Sequence, residues 1–371
     1  MKYSDQNLFK AQNKHISMNS PPELSPFSVS IHASIEEIDR SQWDSLVNNR
    51  LFHTAIWMKL LEVSLQEHVT PLYIAVEKEN QLMGAGVCYY TTEKKFGYPI
   101  PVINCTYPLS EDMALFTRSP DDGEVFSVLV ESLETIASEK KTWALLITKS
   151  PAGLYGEILK EKGYHHLHLI PTTYLDITWD TFQDYLKSLP RKAKKNIRHT
   201  LNQGRRKGLQ IVHSQDLSDI EHLYELFSAA MDRHGHTHLI PCTLEVFQNF
   251  ARYVSDYTYV ARCYRGDDLL GYWMYFFDGN IASLAISGID KTYSKEYNTY
   301  FNICYDTIRE MIERGCERAW FGITTYEVKR RIGCTVKPTA ASVKIRNPLL
   351  NELVEPVVTL RNYQLKKTYG E

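Results

Sequence analysis

One order of elements occurs twice along the chain, and it limits the possible folds more than any single motif. The segments "LYIAVEKENQLMGAGVCYY" (72–90) and "TYVARCYRGDDLLGYWMYFF" (258–277) are built alike. Each has an apolar strand, a charged turn and a second strand opened by a glycine, Gly84 or Gly271, which is the pattern of a β-hairpin. A helix follows each hairpin. Over 123–141, Val125, Val128, Leu129, Leu133 and Ile136 recur at helical spacing, and over 298–316, Phe301, Cys304, Tyr305, Ile308 and Ile312 do the same. Next come the strands "TWALLITKS" and "RAWFGITT", with Trp143 and Trp320 at their starts. The short helices "GLYGEILKEKG" and "YEVKRRIG" follow, then the closing strands "YHHLHLIPTTYLDI" and "PTAASVKIR". Helical segments precede both hairpins, over 34–65 and 181–254.

This duplication predicts a mixed α/β protein of two similar halves with a cleft between them, and such interfaces favour ligand sites. A chain of 371 residues also exceeds one ordinary hydrophobic core. The expected divisions are a polar leader over 1–26, a first domain over 27–175 and a second over 176–371, with the boundary between Ile170 and Asp180. The leader has no apolar core for a signal peptide. No apolar run approaches the roughly 18–20 residues of a membrane span. The seven cysteines are scattered without a C-x-x-C pair, which leaves zinc ribbons and thioredoxin-type sites without support. Reduced thiols, and hence a cytoplasmic protein, are expected. A net charge of −2 argues against a general nucleic-acid coat, so any attraction to anions is local.

The most basic stretch is "SLPRKAKKNIRHTLNQGRRKG" (188–208). Arg191, Lys195, Arg198 and Arg205 recur at steps of 4, 3 and 7, one stripe of a helix, with Ala193, Ile197, Leu201 and Gly204 opposite. Guanidinium forks suit phosphate oxygens, so the stripe reads as a grip on a phosphate-bearing carrier: CoA, a nucleotide-linked precursor or tRNA. The competing reading is a solvated amphipathic helix with its last turn favourably basic.

The second half resembles the FemAB-like and BioF-type acyltransferases of the GNAT superfamily. The resemblance rests on four stretches in order over about 175 residues: "PTTYLDI", the basic helix with its N-I-R and terminal glycine, "SGIDKTYSKEYNTYFNICYDTIREMIERGC", and "FGITTYEVKRRIG". It implies a tandem of two GNAT-like domains, with the first half fitting by architecture more than by motif. It also implies transfer of an acyl or aminoacyl group from a thioester or ester donor to an amine. The chain departs from the family in two places. The pyrophosphate loop Q/R-x-x-G-x-G/A is missing where "SGIDKTYSKEYN" stands, and Trp320 and Phe321 occupy the late strand where some relatives carry an aspartate.

On this resemblance Lys329, three residues before Ile332–Gly333, is placed to neutralise an oxyanion or leaving group, with Arg330 beside it. Arg233 and His234 fall where the family contacts the acceptor, and His234 is a candidate base. Asp290, Tyr293 and Asn298 lie where a long helix begins, where backbone N–H groups favour anions; Asp290 serves equally well as a cap. Tyr326 is a candidate proton donor to the leaving group. His234, His236 and His238 alternate, but Gly235 and Pro241 mark a loop without a carboxylate at ligand spacing, so no metal is expected.

The expected activity is transfer from acyl-CoA or another phosphopantetheine-type donor, used as a co-substrate rather than a resident cofactor, to an amine of a small molecule or cell-envelope precursor. One alternative is a Fem-type ligase using aminoacyl-tRNA, although the long helical arm common in such enzymes is missing. The other is a non-catalytic GNAT-like binding protein. The first half reads as a scaffold, because "TKSPAGLYGEILKEKG" lacks the basic cluster of its counterpart.

Overall fold

The computed structural model describes residues 26–67, 69–95, 98–107, 109–150, 153–234, 242–323 and 325–369. The first half runs β1 (Ser28–His32), α1 (Arg40–Leu46), α2 (Ala55–Leu65), β2 (Thr70–Lys78), β3 (Gln81–Lys95), β4 (Tyr98–Cys105), β5 (Leu115–Thr117), α3 (Gly123–Glu139), β6 (Ala144–Thr148), α4 (Leu154–Glu161) and β7 (His165–Asp176). The second runs α5 (Phe182–Ser188), α6 (Arg191–Arg206), β8 (Leu209–Ser214), α7 (Ile220–His234), α8 (Leu244–Tyr253), β9 (Thr258–Arg265), β10 (Asp268–Asp278) and β11 (Ile281–Ile289). It continues through α9 (Lys291–Tyr297), α10 (Thr299–Glu313), β12 (Arg318–Gly322), α11 (Tyr326–Arg331), β13 (Thr335–Ile345) and α12 (Pro348–Tyr369).

The two hairpins are β2–β3 and β9–β10, and the repeat extends to their irregularities. Gly84 and Gly271 both sit where the ladder register shifts. Neither position has room for a side chain. A Cβ on Gly84 would collide with Val125, and one on Gly271 would lie 2.7 Å from Ile289 Cδ1 and 2.9 Å from the Gly288 carbonyl. The two tryptophans do not correspond. Trp143 precedes β6 and is exposed, whereas Trp320 lies inside β12, buried against Tyr174. Sequence spacing missed this because the strand ends differ while the parallel pairings fix the alignment, Val102 with Ala144 and Ile281 with Arg318.

The closing strands are exchanged. The sheet order is β1-β2-β3-β4-β6-β13-β7-β12-β11-β10-β9-β8, with β5 beside β3. Thus β13, from the end of the chain, pairs with β6 of the first half, and β7 pairs with β12 of the second. The two closing strands pair with each other in the middle. Reading each half as closed by its own last strand is therefore incorrect. Alternating patterns define a strand but not its partner. Around this central pair, β6 ends opposite Ala341 while β12 ends opposite Thr173, which itself pairs with Val336. Between those points, among the described residues, each central strand has one edge without a strand partner, and on β7 that edge is taken by α12.

One apolar core runs from the first half into the second where α2 packs on α8. Phe52, Trp57, Phe250 and Phe276 form its bridge, with ring centroids 4.8–6.0 Å apart. A second core lies under α5, α6, α10 and α11. No described helix is long and apolar enough to cross a membrane.

Candidate functional site at the central strands

In the second half, β11 and β12 are parallel partners only from Ile281–Arg318 to Ser283–Trp320. Beyond that, β11 continues to Ile289 while β12 turns out of the sheet through Gly322, with φ of 68°. In the first half, β4 stays paired with β6 to its last residue, Cys105. The divergence therefore belongs to the second half. Trp273 of the second core lies 5.5 Å from Tyr300 and 5.7 Å from Phe321, the penultimate residue of β12.

Lys329 sits at the mouth of this divergence. It is 2 % exposed. Its Nζ donates to the carbonyls of Phe321 at 2.6 Å and Gly322 at 3.1 Å, the last two residues of β12. An ammonium has three protons, and two are used. Burial pushes its pKa down from 10.5 to about 8, while the nearby thiols of Cys334 and Cys304 pull it up. Burial raises both thiols well above their usual value, so they stay neutral near pH 7. The ammonium has no carboxylate partner among the described residues. Loop strain frames it too: Thr325, β-branched, holds φ of 51° directly before α11, a conformation that costs of order 1–3 kcal/mol.

The other residues singled out in the sequence fall into three groups. In α11, the Tyr326 hydroxyl donates to the Pro171 carbonyl at 2.6 Å and its ring lies 5.0 Å from Tyr369. Burial raises its pKa, so this hydroxyl braces α11 against β7. Arg330 is exposed and donates to the Tyr369 carbonyl. Around α9, the Asp290 carboxylate accepts from the Thr292 N–H at 2.7 Å. It caps α9 and occupies an amide that an anion would otherwise use. Asn298, at φ of 48°, joins α9 to α10, and the Tyr293 ring lies 6.2 Å from Tyr297. The third group is α6, where Arg191, Lys195 and Arg198 are exposed as expected.

The basic helix bridges the other two groups. Its start follows Leu189, which packs 3.4 Å from the Cβ position of Gly333, just past α11. Near its end, Gly204 lies against Asn302 of α10, and Lys207 donates to the Glu296 carbonyl. The helix carries seven Lys and Arg and no acidic residue. Arg198 donates to Gln183; none of the seven has a carboxylate partner among the described residues. Arg233 and His234 end α7, and their side chains lie outside the described residues, as do His236 and His238. No metal-holding cluster occurs among the described residues.

Sequence reading missed the first half's contribution. The loop after β4 reaches the central strands. The Thr172 hydroxyl donates to Glu111 at 3.2 Å, and Lys149 pairs with Glu111 at 3.0 Å. On the neighbouring residue, Thr173 Oγ1 donates to the Gly322 carbonyl at 2.6 Å, the same oxygen that accepts from Lys329. Beside Glu111, Arg50 bridges Asp112 at 2.8 Å and Asp278 at 2.7 Å. His53 is buried, with Nε2 2.9 Å from Ser110 Oγ and its ring stacked on Tyr107. Burial pushes its pKa down to about 4, against the opposing pull of Asp112, so it is neutral near pH 7. The only sequence signal was the acidic pair in "PLSEDM", and an acidic pair in a loop is ordinary.

Residues 191–330 match the family model described as the acetyltransferase (GNAT) domain. No curated protein matches the chain in sequence. Among solved structures, FemX is similar at 14 % identity and a TM-score of 0.60, over 86 % of this chain and 98 % of that one. L-PGS from Bacillus licheniformis is similar at 11 % and 0.52, over 88 % and 98 %. A tandem GNAT protein from the clavulanic acid biosynthesis pathway is similar at 12 % and 0.51, over 87 % and 99 %. At these identities the likeness is one of fold, and that fold is the GNAT-type acyltransferase fold in tandem form.

Proposed function

We propose that the chain is an N-acyltransferase whose reaction centre lies at the divergence of β11 and β12. The observation that carries this reading is Lys329, a buried ammonium without a carboxylate partner among the described residues, held by backbone carbonyls where the two strands part. In a dry site a fixed positive charge stabilises developing negative charge far more than in water. Attack of an amine on a thioester or ester produces an oxyanion, then a thiolate or alkoxide leaving group. The third proton of Lys329 serves either one. The acceptor amine must lose its proton. Glu111, joined to Thr172 of β7 and to Lys149, is the carboxylate that the first half brings to the central strands, and it suits an ammonium acceptor.

The donor is a carrier with phosphates, gripped by Arg191, Lys195 and Arg198. Two readings of it differ. Acyl-CoA is the usual co-substrate of this fold. Against it, the first turn of α9 is capped by the chain's own Asp290, at the place where the family's pyrophosphate loop is expected. Aminoacyl-tRNA is favoured by the unpaired charge of α6, because a polyanion neutralises many cations at once. Against a non-catalytic binding protein stands the third proton of Lys329, which neither carbonyl uses.

Thermal shifts with acyl-CoA, charged tRNA and uncharged tRNA separate the donors, since specific binding stabilises by mass action. A shift with acyl-CoA alone assigns the first reading, and a shift with charged tRNA alone the second. With the donor so identified, Lys329→Ala is expected to lose at least a hundredfold in transfer, while the donor-induced shift persists. Unchanged turnover in that variant removes Lys329 from the mechanism.

A further inference from the structure

Helix α12 has its polarity inverted relative to a docked helix. Its inner face is held on the free edge of β7 mainly by amides. Asn362 accepts from the His168 N–H at 2.7 Å and donates to the His166 carbonyl at 2.9 Å. Asn351 accepts from the Ile345 N–H and donates to the Gly163 carbonyl. Val358 is its one buried residue. The opposite face carries Leu349, Leu353, Val357, Leu360 and Tyr363, each between 59 and 75 % exposed, with Pro356 among them. Their spacing of three and four residues makes a continuous stripe. A helix with amides inward and leucines outward is completed by a second apolar surface.

We propose that this stripe pairs antiparallel with α12 of a second copy of the chain. Two observations point to a second copy. First, the helix is self-complementary in charge. Away from the amide face, its first half bears Glu352 and its second half bears Arg361 and Lys367. Antiparallel pairing sets each acidic half against the partner's basic half, as a two-fold interface requires. Secondly, the stripe exposes on the order of 600 Å² per copy, beyond what scattered surface residues account for and near the ~800 Å² that each partner contributes to a standard interface. Pairing also bears on the site, because the far end of α12 holds Tyr326 and Arg330 through Tyr369.

Sedimentation velocity of the full chain tests this. The expected species at micromolar concentration has twice the 43.0 kDa of one chain. Leu353→Asp with Leu360→Asp is expected to weaken the dimer at least tenfold while circular dichroism stays unchanged. A charge exchange gives a second reading. Glu352→Lys and Lys367→Glu should each weaken self-association, and mixing the two variants should restore a dimer. A wild-type monomer at high micromolar concentration overturns the proposal. So does a dimer indifferent to all these substitutions. A monomer that binds anionic phospholipid vesicles, and loses that binding in Leu353→Asp, assigns the stripe to lipid and overturns it as well.

Discussion

At the scale of single residues, Lys329 and His53 bear opposite demands. Lys329 has a folded pKa of about 8 against 10.5 unfolded. The unfolded chain binds more protons between those values, so stability rises with pH across about 8 to 10.5 and the charge's burial cost is largest below 8. That cost is about 3 kcal/mol. Lys329→Met is therefore expected to raise the melting temperature at pH 7 and to flatten its rise toward pH 10, read by calorimetry. Activity runs the other way. Catalysis by the ammonium falls above about pH 8, so the wild-type rate should show an alkaline limb there. His53, with a folded value of about 4 against 6.5, costs stability as the pH falls through that window, because protonation then favours the unfolded chain. His53→Asn is expected to remove that part of the acid limb.

Lys329 stood out in the sequence through the family's turn, and its burial and its two carbonyl partners came only from the fold. The counter-charges of Arg50 were illegible. Asp112 and Asp278 lie 166 residues apart in sequence and meet only through the fold. Tyr326 and Asp290, read from the sequence as a proton donor and as an anion contact or cap, carry visible structural duties, a brace and a cap. Spacing alone gives no means of separating those duties from chemistry.

At the scale of elements, the basic helix shows what periodicity reveals. The charged stripe and its packed face were readable, and Ile197 and Gly204 are indeed buried. Its docking partner was not. A Cβ on Gly204 would stand 2.6 Å from Asn302 Oδ1, and the Asn302 amide ties the α9–α10 junction through the carbonyls of Tyr297 and Asn298. Gly204→Ala is expected to destabilise by about 1–3 kcal/mol in urea unfolding, despite the usual gain of alanine over glycine in a helix. A stabilised variant would contradict this packing. On the exposed face, Arg191→Ala with Lys195→Ala and Arg198→Ala should weaken donor binding and flatten its dependence on salt. Binding isotherms at several salt concentrations read both changes. A lower rate at unchanged affinity would move these residues away from the donor. α12 went unread because its inward residues are amides, which leave no apolar stripe toward the core.

At the scale of the whole molecule, the duplication was legible and its assembly was not. Repeated hairpins, helices and glycines predicted two like halves. The exchange of β7 and β13 needs contacts between residues far apart in sequence, such as Arg318 with Asp176 and Ala341 with Thr148, and no local pattern encodes those. The exchange predicts that neither half completes its sheet alone. The aromatic bridge between the halves points the same way. Calorimetry of the full chain should show one cooperative transition, and a chain stopped after residue 334, lacking β13 and α12, should lose native structure in both halves. Two separate transitions would contradict that account.

The central claim is that a donor binds where β11 and β12 part, over Lys329. Hydrogen exchange of the full chain, followed by mass spectrometry with and without acyl-CoA and with charged tRNA, tests it most directly. The predicted result is slowed exchange in residues 284–298 and 325–334 with one of the two donors. Protection confined to the first half, or no protection in those segments with either donor, would contradict it.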